Sequence, residues 1–79
     1  MDTLATAFIL INAELGKETV VIETLEKIPE VKETNHVYGV YDMVLKVEAD
    51  SMEVLKEILH LRIRSVEGVR STMTLIVSD

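Results

Sequence analysis

The stretch from Val37 to Ala49 constrains the fold of this chain more than any other. After a break at Gly39, apolar residues occupy every second position, and this period of two predicts a β-strand. The alternating apolar residues are Met43, Leu45 and Val47. Gly39 and Asp42 suit a tight connection, because glycine permits φ > 0 and aspartate hydrogen-bonds to nearby backbone N–H groups. The stretch therefore predicts two strands joined by a short connection.

Hydrophobic spacing divides the rest of the chain into further strands and helices. Four segments have the composition and apolar spacing that predict β-strands, namely Leu4–Ala13, Val31–Tyr38, Met43–Glu48 and Val69–Val77. A first helix is predicted from Glu18 to Ile28, since its apolar residues recur at helical spacing and Pro29 follows. A second helix is capped by Asp50 or Ser51. Its apolar face carries Met52, Leu55, Ile58, Leu59 and Ile63.

The resulting order is β-α-β-β-α-β, and it contains an internal echo. The segment Ile28–Thr34 resembles Val66–Thr72, and each follows a helix and leads into a strand. Two βαβ halves with right-handed crossovers form the split-βαβ, ferredoxin-like arrangement. We therefore expect an α+β fold with a four-stranded antiparallel sheet and two helices on one face. The first and third strands are expected at the centre of that sheet.

The second face of the sheet needs a cover that this chain does not supply. The first strand is apolar on both faces, because residues 8–11 form a continuous apolar run. Exposed aliphatic surface is costly at about 25 cal/mol per Å², and a small domain has only about 5 kcal/mol of stability. We expect the sheet to pack against another copy or another domain. Leu10 and Leu75 are predicted to be buried, one on the helix side and one on the far side.

Composition excludes several classes of protein. The chain has 79 residues, a net charge of −6 and no cysteine. Direct nucleic-acid binding is not expected, because phosphate contacts need clustered basic residues. Neither a disulfide nor a thiolate zinc site can form. The N-terminal apolar run is too short to span a membrane, so we expect a cytoplasmic protein without membrane contact.

No cofactor, metal or catalytic group is indicated by the sequence. His36 and His60 do not stand in a metal-ligand spacing. Ser51 is better explained as a helix cap than as a nucleophile, and the acidic residues of the first helix form no convincing catalytic pair. These patterns do not indicate an enzyme.

Four segments together resemble a known family. They are Ala7–Asn12, Ile28–Val31, His36–Asp50 and Val66–Val77. They resemble the effector domain of the Lrp/AsnC (feast/famine) regulators, also called the RAM domain, over nearly the whole chain. Its two motifs are G-x-Y-D and, in the last strand, T-x-T. The resemblance implies a single domain over residues 1–79 that stands alone, without the winged helix-turn-helix domain of full regulators.

The resemblance also implies partners. It implies a ferredoxin-like unit of the dimeric α+β barrel type that dimerises through its sheet, with dimers assembling into rings such as octamers. A free amino acid is the expected effector, bound between dimers near the G-x-Y-D loop. Association with full-length Lrp/AsnC regulators is a further expectation, and direct DNA binding does not carry over.

The motifs place the expected ligand site at seven positions. The G-x-Y-D loop corresponds to Gly39, Val40, Tyr41 and Asp42. The T-x-T strand corresponds to Thr72 and Thr74, with Ser71 before them. The resemblance implies that glycine N–H groups receive the α-carboxylate and that Asp42 accepts from the α-ammonium group. The structural alternative for each position is a turn glycine, a packed tyrosine, a turn-capping aspartate or a strand threonine.

Two functions of different classes remain open from the sequence. The first is a non-enzymatic module that binds a small amino acid and modulates transcriptional regulation. The second is a small enzyme of the dimeric α+β barrel type, such as a monooxygenase. Such an enzyme needs a roomy pocket on the sheet with polar or aromatic side chains, whereas the sheet positions here are mostly aliphatic and tryptophan is absent.

Overall fold

The computed structural model describes residues 4–78, and these contain four strands and two helical stretches. In chain order the elements are β1 (Ala5–Ala13), α1 (Glu18–Glu26), β2 (Val31–His36), β3 (Met43–Ala49), α2 (Met52–Glu57), a π-helical segment (Ile58–Ile63) and β4 (Val69–Ile76). The π-helical segment continues α2 directly. The predicted order of strands and helices is confirmed.

The four strands form one antiparallel sheet in the order β2-β3-β1-β4. β1 and β3 are therefore central, and β2 and β4 are the edges, as predicted. Ile9 of β1 faces Leu45 of β3 on one side and Thr74 of β4 on the other. This strand order, with both helical stretches on one face, is the ferredoxin-like α+β fold.

The helix-covered face of the sheet holds the core. Alternate residues of the two central strands are buried there, as the period of two requires. They are Ala5, Ala7, Ile9, Ile11 and Ala13 in β1, and Met43, Leu45, Val47 and Ala49 in β3. The helices complete the core with apolar side chains from both stretches. These are Val21, Ile22 and Leu25 of α1, and Leu55, Ile58, Leu59 and Ile63 of the second helical stretch. The described residues contain no buried polar side chain, so packing of aliphatic groups stabilises this fold.

The opposite face of the sheet, which we call the open face, is not covered by any element within residues 4–78. Phe8 pairs with Leu75 and Leu10 pairs with Met73, so these four apolar side chains are neighbours. Phe8 is 37% exposed, Met73 47% and Leu75 53%. The expectation that Leu10 and Leu75 lie on opposite faces is wrong. Both belong to the open face, because the β1–β4 register places even-numbered residues of β1 beside odd-numbered residues of β4.

Element ends differ from the predictions by one or two residues. α1 ends at Glu26, and Ile28 is buried in the turn before β2 rather than in the helix. β2 ends at His36, because the N–H of Val37 donates to the carbonyl of Asp42 and turns the chain toward β3. The cap of α2 is Ser51, whose Oγ accepts from the N–H of Val54 at 3.2 Å.

The π-helical segment was not predicted from the sequence. At its C-terminal end the N–H of Arg64 donates to the carbonyl of Leu59 at 3.2 Å, five residues back instead of four. π-Helical turns are rare and are found frequently at functional sites. This segment packs its apolar side on the core and carries His60 and an exposed Arg62 on its surface.

Gly68 allows α1 to pack closely against the turn that leads into β4. Its φ is +97°, and a Cβ there would lie 2.8 Å from Cγ2 of Val21. Its carbonyl accepts from the N–H of Glu14 at 2.7 Å. The end of β1 is thereby held beside the start of β4, where a cleft opens.

Candidate functional site

The residues predicted to bind ligand lie around two larger clefts along β4, with a smaller opening of about 330 Å³ between them that is lined by Arg64, Val69, Arg70, Ser71 and Thr72. The first cleft has a volume of about 590 Å³. It is lined by Asn12, Ala13, Leu15, Glu18, Val40, Asp42, Arg70 and Ser71. The second cleft has a volume of about 460 Å³. It is lined by Lys56, Leu59, His60, Arg64, Thr72, Thr74 and Ile76.

Asp42 is held firmly in the wall of the first cleft. Its N–H donates to the carbonyl of Ile11 at 2.9 Å. Its Oδ2 accepts from the N–H of Ala13 at 3.0 Å. The β1–β3 ladder ends at the pair of Ile11 with Met43. The N–H of Ala13 therefore has no backbone partner in β3, and the carboxylate of Asp42 accepts its hydrogen bond instead. Asp42 therefore has the structural role of a turn-capping residue, and its other carboxylate oxygen has no hydrogen-bond partner in the described part of the chain.

The loop before Asp42 projects into solvent. Gly39 has φ +143°, a conformation that other residues adopt with strain, and no atom lies within 4 Å of a Cβ built there. Val40 is 83% exposed and lines the first cleft. Tyr41 is half-buried, and neither Gly39 nor Tyr41 lines the cleft within one chain. The loop thus leaves its backbone open to an incoming molecule.

The first cleft brings both signs of charge around one opening. Asp42 and Glu18 supply carboxylates, and Arg70 supplies a guanidinium group. The amide Nδ2 of Asn12 donates to Oγ of Ser71 at 3.4 Å and adds neutral polar groups. Within residues 4–78, Arg70 forms no ion pair within 4.0 Å. This set of groups complements a small zwitterion, because a guanidinium fork pairs with a carboxylate and carboxylates pair with an ammonium group.

Arg70, Asn12 and Glu18 were not among the predicted site residues. Arg70 lies beside the irregularity at Asn12 and Ala13, where the β1–β4 register shifts. A bulge of this kind re-aims side chains and cannot be read from one strand's sequence. The one available signal was that Arg70 directly precedes Ser71 in the motif-bearing strand.

Thr72 and Thr74 line the second cleft instead of the first. Thr72 pairs with Ile11 and Thr74 with Ile9, so both threonines lie on the helix-side face of β4. Ser71 pairs with Asn12 and lies on the open face. The period of two along a strand was sufficient to separate Ser71 from its threonine neighbours. A single chain therefore does not bring the seven predicted residues into one site.

No group of three or more His, Asp or Glu side chains within residues 4–78 is placed to hold a metal ion. No helix in this part of the chain is long and apolar enough to cross a membrane.

Residues 6–79 match the Lrp/AsnC ligand binding domain family. The HTH-type transcriptional regulator FL11 of Pyrococcus furiosus is 42% identical over 71 residues, which are 90% of this chain and 46% of that regulator. The chain thus spans about half the length of the curated regulators it matches.

Structural similarity agrees with the sequence match. The crystal structure of FFRP-DM1 superposes with a TM-score of 0.91 at 42% identity, over 94% of this chain and 99% of that one. The homocitrate synthase of Sulfurisphaera tokodaii is 44% identical over 59 residues, but these are 13% of that enzyme. The matched domain is the regulatory one of the Lrp/AsnC proteins, so the alternative of a monooxygenase-like enzyme is set aside. FL11, which this chain matches, is a transcriptional regulator. The chain itself belongs to the Lrp/AsnC ligand-binding domain family.

Proposed function

We propose that this domain is a non-enzymatic sensor that binds a free amino acid in the first cleft and modulates transcriptional regulation through its assembly. The observation that carries the proposal is the placement of Asp42, Glu18 and Arg70 around one opening of about 590 Å³. An opening of that size accommodates a small molecule. The family match supports a regulatory ligand-binding role.

The proposed contacts follow from the charges. The α-carboxylate pairs with the guanidinium of Arg70, and the α-ammonium group donates to the free oxygen of Asp42. The side chains of Asn12 and Ser71 complete the polar lining. Hydrogen bonds to charged groups are worth about 1.5–3 kcal/mol each, so two of them contribute about 3–6 kcal/mol, compared with the roughly 4 kcal/mol that a millimolar Kd requires.

The remaining predicted residues enter the proposal in two ways. Gly39, Val40 and Tyr41 form the loop at the mouth of the cleft, and the open backbone at Gly39 offers N–H groups to a carboxylate. Thr72 and Thr74 face the second cleft, so they would contact a ligand in the first cleft only from a neighbouring copy. A regulator from Neisseria meningitidis with the same fold, at 21% identity, was solved as a complex with L-Met. That complex supports an amino acid as the class of ligand.

The open face supports the proposed assembly. Phe8, Leu10, Met73 and Leu75 form an apolar row across β1 and β4 that a second copy would cover. We propose a homodimer through this face, higher rings of dimers such as an octamer, and association with full-length Lrp/AsnC regulators. We further propose that the domain acts in the cytoplasm. The net charge of −6 supports regulation without direct DNA contact.

A thermal-shift screen against the twenty common amino acids tests the proposal. A ligand at about a hundredfold excess over its Kd stabilises a fold by about 2.7 kcal/mol, which raises the Tm of a domain this small by about 10–20 °C. We expect one amino acid, or a chemically related group, to produce such a shift. Its N-acetyl and amide derivatives should not, because they lack the charges that Asp42 and Arg70 pair with. No shift with any amino acid would contradict the proposal.

A further inference from the structure

The second cleft is basic in an acidic chain. Its three titratable lining residues are Lys56, His60 and Arg64, and no Asp or Glu among residues 4–78 lines it. The chain has 14 acidic residues and only 8 lysines and arginines. The cleft thus collects basic side chains although the chain as a whole is acidic. Its local electrostatic potential is positive, and a positive potential concentrates anions.

The helical stretch arranges these residues in one stripe. Lys56, His60 and Arg64 are four positions apart, and they run from α2 through the π-helical segment to its C-cap. Nη1 of Arg64 lies 3.4 Å from Nδ1 of His60. Across the cleft, the hydroxyl-bearing residues Thr72 and Thr74 lie on the edge strand β4. Donor groups therefore line both sides of the opening.

The cationic side chains of the second cleft are not paired with carboxylates in the described part of the chain. Lys17, Lys46 and Arg62 each form an ion pair with a glutamate within 4.0 Å. Within residues 4–78, neither Lys56 nor Arg64 forms such a pair. Both side chains are therefore available to an anion from solution.

We propose that the second cleft is a separate binding site for a small organic carboxylate. The guanidinium of Arg64 donates to one carboxylate as a fork, and Lys56 adds a second positive charge. The hydroxyls of Thr72 and Thr74 donate to the remaining oxygens. Leu59 and Ile76 provide apolar contact for the hydrocarbon body of the ligand. The described lining of the site contains no carboxylate to pair with an ammonium group, so its ligand differs in class from the zwitterion proposed for the first cleft.

Glutarate is a suitable probe, because it has two carboxylates, a short hydrocarbon chain and no ammonium group. Titration of the whole domain, followed by ¹H–¹⁵N NMR, should shift the amide signals of Thr72, Thr74 and the π-helical segment. The signals around Asp42 should stay unchanged. Arg64→Gln should weaken glutarate binding by about tenfold or more, since it removes a charge-assisted contact.

Arg62→Gln is the matched control. Arg62 lies on the same segment, pairs with Glu30 and does not line the cleft, so this variant changes the net charge equally. We expect it to bind glutarate like the unmodified domain. Lys56→Gln is the second test variant and should also weaken binding, should Arg64→Gln not fold. Equal losses in the Arg62 and Arg64 variants would overturn the proposal, as would unshifted Thr72 and Thr74 signals or tighter binding of inorganic phosphate than of glutarate.

Discussion

Phe8 and Ile9 are neighbours in β1, but Ile9 is 1% exposed and Phe8 is 37% exposed. The two faces of this strand are similarly apolar, yet the helices cover only the face to which Ile9 belongs. The covered face makes the domain fold, whereas the open face has apolar surface left over for association. Apolar character along a strand therefore marks a contact surface without telling whether the contact lies within the chain or between chains.

The largest effect is expected on the covered face. Leu45 is completely buried between β1 and the helices. Leu45→Ala should lower the free energy of unfolding by about 2–5 kcal/mol, because it removes buried methylene groups and leaves a cavity. Urea denaturation followed by circular dichroism measures this change. A loss of that size is a large part of the stability of a domain of this length.

Val44→Ala is the control for the other face. Val44 is next to Leu45 in β3 but lies on the open face, where it pairs with Leu10. We expect this variant to cost a clearly smaller free energy of unfolding when the protein is dilute. Equal losses for the two variants would show that the two faces are equally buried, and would contradict the distinction between them.

The open face should respond in its association rather than in its fold. Leu75→Lys and Leu10→Lys place a charge in the row shared with Phe8 and Met73. Each buried leucine contributes about 1.5–3 kcal/mol, and a two-fold interface loses it on both copies. Light scattering at low micromolar concentration should give a dimer or larger assembly for the unmodified domain and a smaller species for both variants. Circular dichroism should show that the variants remain folded.

Two outcomes of the light-scattering measurement would contradict the proposed interface. An unmodified domain that stays monomeric in the same measurement would leave the apolar row without a partner copy and remove the proposed dimer. Variants that assemble like the unmodified domain would instead place the interface elsewhere on the surface.

The sequence was sufficient to predict the covered face but not the register between strands. The alternation of Met43, Leu45 and Val47 identifies one buried face of β3, and the order of elements leads to the observed sheet. It could not place Leu10 relative to Leu75. That relation depends on which residues of β1 and β4 pair, and the pairing includes a shift between Asn12 and Ala13. Register is a property of two strands and their turns together.

The lining of the first cleft also depends on strand register, which the sequence of one strand does not show. The G-x-Y-D loop pointed to Asp42, which does line the first cleft, but Arg70 depends on the local shift in β4. The π-helical segment could not be predicted either, because the spacing of Ile58, Leu59 and Ile63 fits an α-helix as well as a π-helix. The position of His60 and Arg64 beside Thr72 therefore appears only in the folded chain.

The open face becomes polar at its end, where Asn12 and Ser71 line the first cleft. The smallest predicted effect concerns ligand binding in this cleft. Asp42→Asn keeps an oxygen to accept from the N–H of Ala13, so the fold should survive. The variant removes the charge that pairs with an ammonium group, which is worth about 1.5–3 kcal/mol. Calorimetry should show about a tenfold to hundredfold weaker affinity for the amino acid found in the thermal-shift screen.

Asp50→Asn makes the same change of charge at an exposed position outside the first cleft, and should leave the affinity unchanged. The two aspartates thus separate a local contact from a general effect of net charge. Asp42 already has a structural role as the partner of the Ala13 N–H, and asparagine fills that role well. Unchanged affinity in a folded, assembled Asp42→Asn protein would therefore leave Asp42 with its structural role alone and assign ammonium binding to another group, with Glu18 the remaining carboxylate of the cleft.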